Sequence, residues 1–236
     1  MKITLRSFLG LLTLSLFVSA CSTTTTPTEP PKPDTAQVRV YSAAPDVTSV
    51  DAFANNTSVV SGVTFDNEPA YSEIAVGNTT FNLRIGGTSV NMFTSPAPVN
   101  LQKGQRVTLV ALDSAGTASI FYAGLSLPDT TATPASGQAF VRFVHAAYNA
   151  GAVSVSAAPV GIAPVTVSAK FKDFTGYYAI PAASAVPLTV QQQPGGVTVL
   201  STSLTLQAGK NYTVFIKGVA GAAGGTALGV KAIAEN

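Results

Sequence analysis

Cysteine, histidine, tryptophan and charged residues are scarce in this sequence of 236 residues. It has one cysteine, one histidine and no tryptophan, and charged residues make up 10% of the chain, against about 25% in an average globular domain. A single cysteine excludes a disulfide scaffold, and the two counts together exclude sites that need several cysteine or histidine ligands. Hydrophobic residues make up 46%, which is enough for a core, so the composition excludes a wholly disordered chain.

Residues 1–20 have the composition of a signal peptide. Lys2 and Arg6 precede an apolar run over residues 8–20, which is too short to span a bilayer as a helix. The four residues that end at Cys21, VSAC, resemble the bacterial lipobox. The resemblance implies cleavage before Cys21 and lipidation of that residue, so we expect an anchored protein. The alternative is an ordinary signal peptide with a cysteine at that position by chance.

A lipid anchor would place the protein in the cell envelope. Serine follows Cys21 where aspartate would retain a lipoprotein at the inner membrane of enterobacteria, so we expect the outer membrane. The outer face of the cytoplasmic membrane is the alternative. Loss of Lys2 and Arg6 reduces the 13 positive side chains to 11, which balance the 11 negative ones. This neutral mature chain argues against nucleic acid as a partner.

Two segments rich in threonine, serine and proline divide the rest of the chain. Residues 21–35 are predicted to form an acylated tether, which at about 3.1 Å per residue spans roughly 40 Å from the lipid. Residues 126–138 have a similar composition and are predicted to form a linker. Two folded domains are therefore predicted, over residues 36–125 and 139–236.

The two predicted domains are similar to each other in sequence. The matching segments are AQVRVYSAAPD at residue 36 with AFVRFVHAAYN at residue 139, and LQKGQRVTLVA at residue 101 with LQAGKNYTVFI at residue 206. The offset changes only from 103 to 105 residues between these two pairs. Such a nearly constant offset indicates a tandem repeat.

Both repeats have the period of β-strands. Phe81, Leu83 and Ile85 alternate with polar residues, as in a half-buried strand, and no helical apolar stripe is longer than about one turn. Runs of this kind, separated by glycine-rich and asparagine-rich turns, predict an all-β chain. We expect two tandem immunoglobulin-like antiparallel β-sandwich domains of about seven to nine strands each, with a small barrel as the alternative.

Three segments of each repeat resemble the bacterial domain of unknown function DUF4397, whose pattern is VRVxHASPDAPxVDVY, then YxxVPAG, then LxAGxxYTV. The first repeat carries VRVYSAAPDVTSVDAF, YSEIAVG and LQKGQRVTL, and the second carries VRFVHAAYNAGAVSVS, YYAIPAA and LQAGKNYTV. The resemblance implies an extracytoplasmic β-sandwich without a known activity. Ser42 replaces the histidine of this pattern in the first repeat, and Asn149 and Ser154 replace its two aspartates in the second.

One histidine and one pair of aspartates are candidates for chemistry. His145 could be a base or a zinc ligand, but no second histidine accompanies it, and the alternative is a strand-end histidine bonded to a turn carbonyl. Asp46 and Asp51 could begin a calcium site, and the alternative is a turn at Asp46 with Asp51 in solvent. The chain has no G-x-S-x-G motif. We therefore predict a noncatalytic protein, with no catalytic residues, no cofactor and no metal.

The segment KFKDFTGYY, residues 170–178, is the candidate ligand-binding segment. Its cations and aromatic rings could grip a sugar or an anionic polymer, and the residues predicted to do so are Lys170, Lys172, Phe174 and Tyr178. The alternative is that the aromatic side chains belong to the core and the lysines protect a sheet edge. The side-chain charge is −2 over residues 36–125 and +4 over residues 139–236, which favours either a polyanionic ligand or attraction between the domains.

These observations lead to two functional hypotheses. The first is a noncatalytic envelope lipoprotein with a structural or protein-interaction role, held at the membrane by the lipid on Cys21. The second is an envelope module that binds a glycan or another polyanion through the segment 170–178.

Overall fold

The structure is a computed structural model that describes residues 33–115 and 121–236. In these residues the chain forms eighteen β-strands and two short 3-10 helices, at Tyr148–Ala150 and Gly224–Thr226. The prediction of an all-β chain is confirmed. The predicted signal peptide, the lipidation site Cys21 and most of the predicted tether lie outside the described residues. Within the described ranges, no helix has the length and hydropathy needed to cross a membrane.

The first ten strands form one sandwich, which we call the first sandwich. The strands are β1 Thr35–Ser42, β2 Val50–Ala54, β3 Thr57–Val63, β4 Ser72–Ala75, β5 Gly77–Thr79, β6 Phe81–Ile85, β7 Asn91–Thr94, β8 Val99–Leu101, β9 Arg106–Asp113 and β10 Tyr122–Asp129. Its two four-stranded sheets have the orders β10-β9-β1-β4 and β3-β2-β6-β7, and β5 pairs with β8. The two sheets enclose a core that includes Val38, Val50, Phe81, Leu83 and Leu109.

The last eight strands form the second sandwich. Its sheets have the orders β14-β11-β17-β18 and β13-β12-β15-β16, so the strand arrangement resembles that of the first sandwich. The strands are β11 Gln138–His145, β12 Ala152–Ala157, β13 Val165–Ala169, β14 Tyr178–Pro181, β15 Ala183–Gln193, β16 Val197–Leu206, β17 Asn211–Lys217 and β18 Gly229–Ala234. Their core includes Val141, Phe143, Ile180, Leu188 and Val214.

One strand pair in each sandwich is parallel. β1 runs parallel to β9, and β11 runs parallel to β17, whereas the other pairs are antiparallel. These central strands are buried on both faces, which is the usual environment of parallel strands. The prediction of antiparallel β-sandwiches is confirmed, with these two parallel pairs inside them. The pairs are parallel because, in each sandwich, the chain crosses the opposite sheet before it returns beside its first strand.

The sheets β10-β9-β1-β4 and β14-β11-β17-β18 face each other across an interface that we call the seam. Residues 33–236 form one compact unit, and the seam lies within it. Tyr41 and Phe215 meet at its centre with their ring centroids 4.3 Å apart. The buried apolar residues of the seam are Tyr41, Ala43, Val110, Leu112, Leu127, Val144, Ala146, Phe215 and Ile233.

The predicted linker, residues 126–138, is shorter in the structure. Its first four residues complete β10, which pairs with β9 as far as the contact between Asp129 and Arg106. Leu127 is fully buried in the seam, and Asp129 is also buried. Burial of the Leu127 side chain favours a place in β10 over a place in an exposed linker. The predicted tether likewise ends before Thr35, where β1 begins.

Candidate functional site

A buried polar network crosses the seam around Arg142. Arg142 Nε donates to Thr213 Oγ1 at 2.7 Å, and Nη1 donates to the carbonyl oxygen of Pro128 at 2.7 Å. Nη2 forms a salt bridge with Asp129 and lies 3.3 Å from Glu235 Oε1. Burial, followed by the nearby Asp129 carboxylate, raises the pKa of the Glu235 carboxyl. The network therefore joins the end of β10 to the second sandwich through charge-assisted hydrogen bonds.

Arg39 occupies the corresponding position in the first sandwich, and it differs from Arg142 in the surroundings of its Nη2. Its Nε donates to Thr108 Oγ1 at 2.9 Å, and its Nη1 donates to the carbonyl oxygen of Ala234 at 2.8 Å. Its guanidinium carbon lies 4.6 Å from the centre of the Tyr71 ring. Nη2 is buried and has no hydrogen-bond partner. A cleft of about 460 Å³ beside it is lined by Arg39, Tyr71 and Arg106, among others.

Two more ion pairs connect the sandwiches at the seam. Lys217 Nζ lies 3.0 Å from Asp66 Oδ2, and Lys231 Nζ lies 3.0 Å from Glu68 Oε2. In both pairs the lysine belongs to the second sandwich and the carboxylate to the first. The opposite net charges of the two halves therefore contribute to their mutual attraction, which was the alternative to a polyanionic ligand.

The predicted ligand-binding lysines, Lys170 and Lys172, lie in a tight exposed turn after β13. The backbone N–H of Asp173 donates to the Lys170 carbonyl at 2.9 Å, and the Asp173 carboxylate accepts from the Lys170 N–H at 2.8 Å. Lys172 has a positive φ of 75°. Two hydrogen bonds of 2.9 Å between this turn and the backbone of His145 attach it to the end of β11.

The two predicted ligand-binding aromatic residues do not share a face with each other. Phe174 lies opposite Val144, whose side chain belongs to the seam. Tyr178 lies opposite Val141, whose side chain belongs to the core of the second sandwich. Because residues paired across antiparallel strands point to the same side, Phe174 and Tyr178 point to opposite sides of the sheet. Their proposed role in ligand binding stays a prediction.

Three other aromatic side chains form a cluster beside the lysine turn, which we call the aromatic patch. Its members are Phe121, Tyr148 and Phe171. Their ring centroids lie 5.0, 5.2 and 6.2 Å apart, and the rings meet edge to face. Phe121 and Tyr148 are 42% and 38% exposed. The patch therefore combines a residue that precedes β10 with two residues of the second sandwich.

The sequence analysis included Phe171 in a candidate segment but missed the other two members of the patch. Phe121 precedes β10, and Tyr148 opens a 3-10 turn, so both are remote from Phe171 along the chain. One signal was present for Tyr148. In the similar segments YSAAPD and VHAAYN, Tyr148 stands where the first has Pro45, so an aromatic ring replaces a turn residue at that point.

His145 is completely buried at the end of β11. Its Nε2 lies 2.7 Å from the carbonyl oxygen of Gly151, and its Nδ1 accepts a hydrogen bond from the Ala147 N–H at 3.3 Å. An Nδ1 that accepts implies that Nε2 carries the proton and donates to Gly151. Burial lowers the pKa of the imidazole, which favours this neutral form. The geometry matches the structural alternative for His145, with both ring nitrogens bonded to backbone.

The oxygens of Asp51 are occupied by backbone donors. Oδ1 accepts from the Gly62 N–H at 2.8 Å, and Oδ2 accepts from the Gly87 N–H at 3.0 Å. Asp46 instead uses its backbone N–H, which donates to Asp113 Oδ2 at 3.0 Å. Over residues 33–115 and 121–236, no three histidine, cysteine, aspartate or glutamate side chains gather as metal ligands would. Asp51 thus connects β3 to the turn that follows β6.

Comparison with known families gives one match. The model of the domain of unknown function DUF4397 matches residues 36–156, which is just over half of the chain, and the chain belongs to this family. The matched range covers the first sandwich, crosses to the second and ends within β12. A comparison with curated proteins found no match.

Proposed function

We propose that this chain is a noncatalytic bacterial envelope lipoprotein whose paired sandwiches bind a protein partner at the aromatic patch. The observation that carries this proposal is the exposure of the patch formed by Phe121, Tyr148 and Phe171. Large aromatic side chains are enriched at the centres of protein interfaces. Because the three rings meet edge to face, they do not form the flat platform on which a sugar ring stacks.

The anchor and the tandem organisation complete the proposal. The VSAC sequence before residue 22 supports lipidation of Cys21, and the threonine-rich and proline-rich segment that follows supports a spacer from the membrane. The second sandwich resembles the first in strand order as well as in sequence, which supports a second copy of the same domain. Incorporation of labelled palmitate by the wild type and not by Cys21→Ala would test the anchor.

The experiment for the patch uses cross-linking in cells that express the full chain. A double substitution, Phe121→Ala with Tyr148→Ala, should reduce the yield of a defined cross-linked protein at least tenfold, because it removes two exposed rings. The matched control is Val160→Ala with Ile162→Ala, which removes exposed apolar side chains from the loop between β12 and β13. Equal yields from the patch and control variants would contradict the proposal.

Binding of an envelope glycan or another polyanion is the second candidate function. The exposed Lys170 and Lys172 on either side of Phe171 favour it, since they flank the aromatic patch. Co-sedimentation of the protein with wall and outer-membrane glycans would then weaken as salt is added, and Lys170→Ala with Lys172→Ala would abolish it. Glycan binding that is lost in the lysine variant, with no protein cross-link, would favour this candidate over the first.

A further inference from the structure

β16 differs from the other outer strands of the four-stranded sheets. The other outer strands carry features that discourage pairing with a strand of another molecule. Four of them are short, since β4, β7 and β14 have four residues each and β13 has five. Of the rest, β10 contains Pro128, β18 contains Lys231, and β3 contains Gly62 with a φ of 72°. β16 has ten residues, VTVLSTSLTL, without a charge, a proline or a glycine. Among the strands of residues 33–115 and 121–236, β15 is its one hydrogen-bonded neighbour.

The unpaired backbone groups of β16 can be located from the pairing of β15. The carbonyl of Pro187 accepts a hydrogen bond from Ala158, which follows β12, so the backbone groups of Pro187 point away from β16. Leu188 is the next residue of β15, so its backbone groups point toward β16, where its partner is Thr202. Thr202 therefore directs its N–H and C=O toward β15. Its two neighbours, Ser201 and Ser203, direct theirs outward.

We propose that two copies of this chain associate through β16, which pairs antiparallel with β16 of the second copy across a two-fold axis. In the proposed register, Thr202 faces Thr202 of the second copy. Ser201 then faces Ser203 of the second copy, and their outward N–H and C=O groups bond reciprocally. The two four-stranded sheets would join into one sheet of eight strands.

The side chains favour a second copy over an unrelated strand. In this register Leu200 faces Leu204 of the second copy on the core side of the sheet, and Leu204 is already buried in that core. On the opposite side, serine faces serine. No charged residue occurs in β16, so the two-fold axis brings no like charges together. β16 has one bulge, at Val199, where the pairing passes from Val190–Leu200 to Gln191–Thr198. The stretch from Leu200 to Leu204, which holds the proposed contact, pairs regularly with β15.

Disulfide trapping tests the register directly. Residues that face each other in a pair without hydrogen bonds have Cα atoms about 4.5 Å apart, within the range of about 4.4–6.8 Å that a disulfide spans. Thr202→Cys in the purified full-length protein should therefore form a disulfide-linked dimer under mild oxidation. The wild type, whose only cysteine is Cys21, gives the background. Thr166→Cys is the matched control, since it places a thiol on β13 at the other edge of the same sheet.

A second variant separates specific pairing from random collision. Ser203→Pro removes an N–H that points outward, so it breaks no bond to β15. Added to Thr202→Cys, it should reduce the disulfide-linked dimer at least tenfold. The proposal is overturned if Thr202→Cys yields no more dimer than Thr166→Cys, or if Ser203→Pro leaves the yield unchanged. The inference does not depend on the lipid anchor or on the aromatic patch.

Discussion

Arg39 and Arg142 occupy equivalent positions on β1 and β11, where they pair with Thr108 and Thr213, yet they differ in electrostatic surroundings. Arg142 is compensated by Asp129 and lies near Glu235. Nη1 of both arginines donates to a backbone carbonyl, but Nη2 of Arg39 is buried without a hydrogen-bond partner. A buried charge is costly unless it is paired, so the seam concentrates its electrostatic stabilisation on the Arg142 side. The two arginines therefore contribute unequally to the electrostatic stabilisation of the seam.

Asp113, at the end of β9, should make the stability of the protein depend on pH. Burial raises the pKa of this carboxyl from 3.8 to about 6, although the N–H groups of Asp46 and Ala115 oppose the shift. The folded state then holds the proton more tightly than the unfolded chain. The contribution of Asp113 to the free energy of unfolding should therefore increase by about 1.4 kcal/mol as the pH falls from 7.5 to 5.

The measurement is urea denaturation of the wild type and of Asp113→Asn at several pH values. The asparagine does not titrate, so the difference between the two free energies of unfolding isolates the Asp113 proton. His145, whose pKa is lowered, should instead make the free energy of unfolding fall as the pH falls. This effect occurs in both proteins and therefore cancels in the difference. A difference that stays constant between pH 7.5 and pH 5 would show that Asp113 is not shifted.

β10 packs closely against β7 at Gly124, where the Phe93 side chain leaves no room for a Cβ. A Cβ added at Gly124 would lie 2.5 Å from Cγ of Phe93 and 2.7 Å from its Cβ. Gly124→Ala should therefore lower the free energy of unfolding by about 1–3 kcal/mol, because the ring must move. Thermal denaturation measures the loss. The matched control is Gly176→Ala, where an added Cβ has nothing within 4 Å.

A double-mutant cycle identifies the cause of this loss. If the Phe93 ring is responsible, Gly124→Ala should cost much less in a protein that already carries Phe93→Ala. An equal cost in both backgrounds would assign the effect to the strand backbone instead.

The strands and their inward faces were predictable, whereas their second buried face was not. The alternation at Val107 and Leu109 identifies the side of β9 that faces the first core. Thr108 and Val110, on the other side, are buried in the seam. Only Thr108 of this pair is polar, so the second face was read from one polar residue and not from the apolar Val110. The end of β10 was missed for the same reason, because Leu127 gains its burial from the second sandwich. Hydrophobic periodicity within one strand does not show which distant part of the chain packs against it.

The candidate site was predictable only in part, because one of its residues is brought there by packing between the two sandwiches. The segment 170–178 was identified from its composition, and Phe171 does take part in the aromatic patch. Phe121 joins it only because the two sandwiches pack across the seam. A site built from residues about 50 positions apart depends on tertiary packing, which spacing along one strand cannot reveal.

The seam should also make the two sandwiches unfold together. Unfolding one sandwich alone would expose Tyr41 and Phe215 and break the salt bridge between Arg142 and Asp129. Phe143→Ala creates a cavity in the second core only and should cost about 3 kcal/mol or more. Because unfolding is shared, this substitution should speed hydrogen exchange of the slowest amides of β6, in the first sandwich, by roughly a hundredfold.

Amide exchange followed by mass spectrometry measures this effect, with peptides from β6 compared with peptides from β17. Coupled sandwiches predict the same acceleration in both strands, although the substituted ring lies in only one of the two cores. Faster exchange in β17 with unchanged exchange in β6 would mean that the sandwiches unfold independently. In that case the seam would be a contact between two separately stable domains, and its buried arginines would contribute to orientation rather than to the stability of the whole.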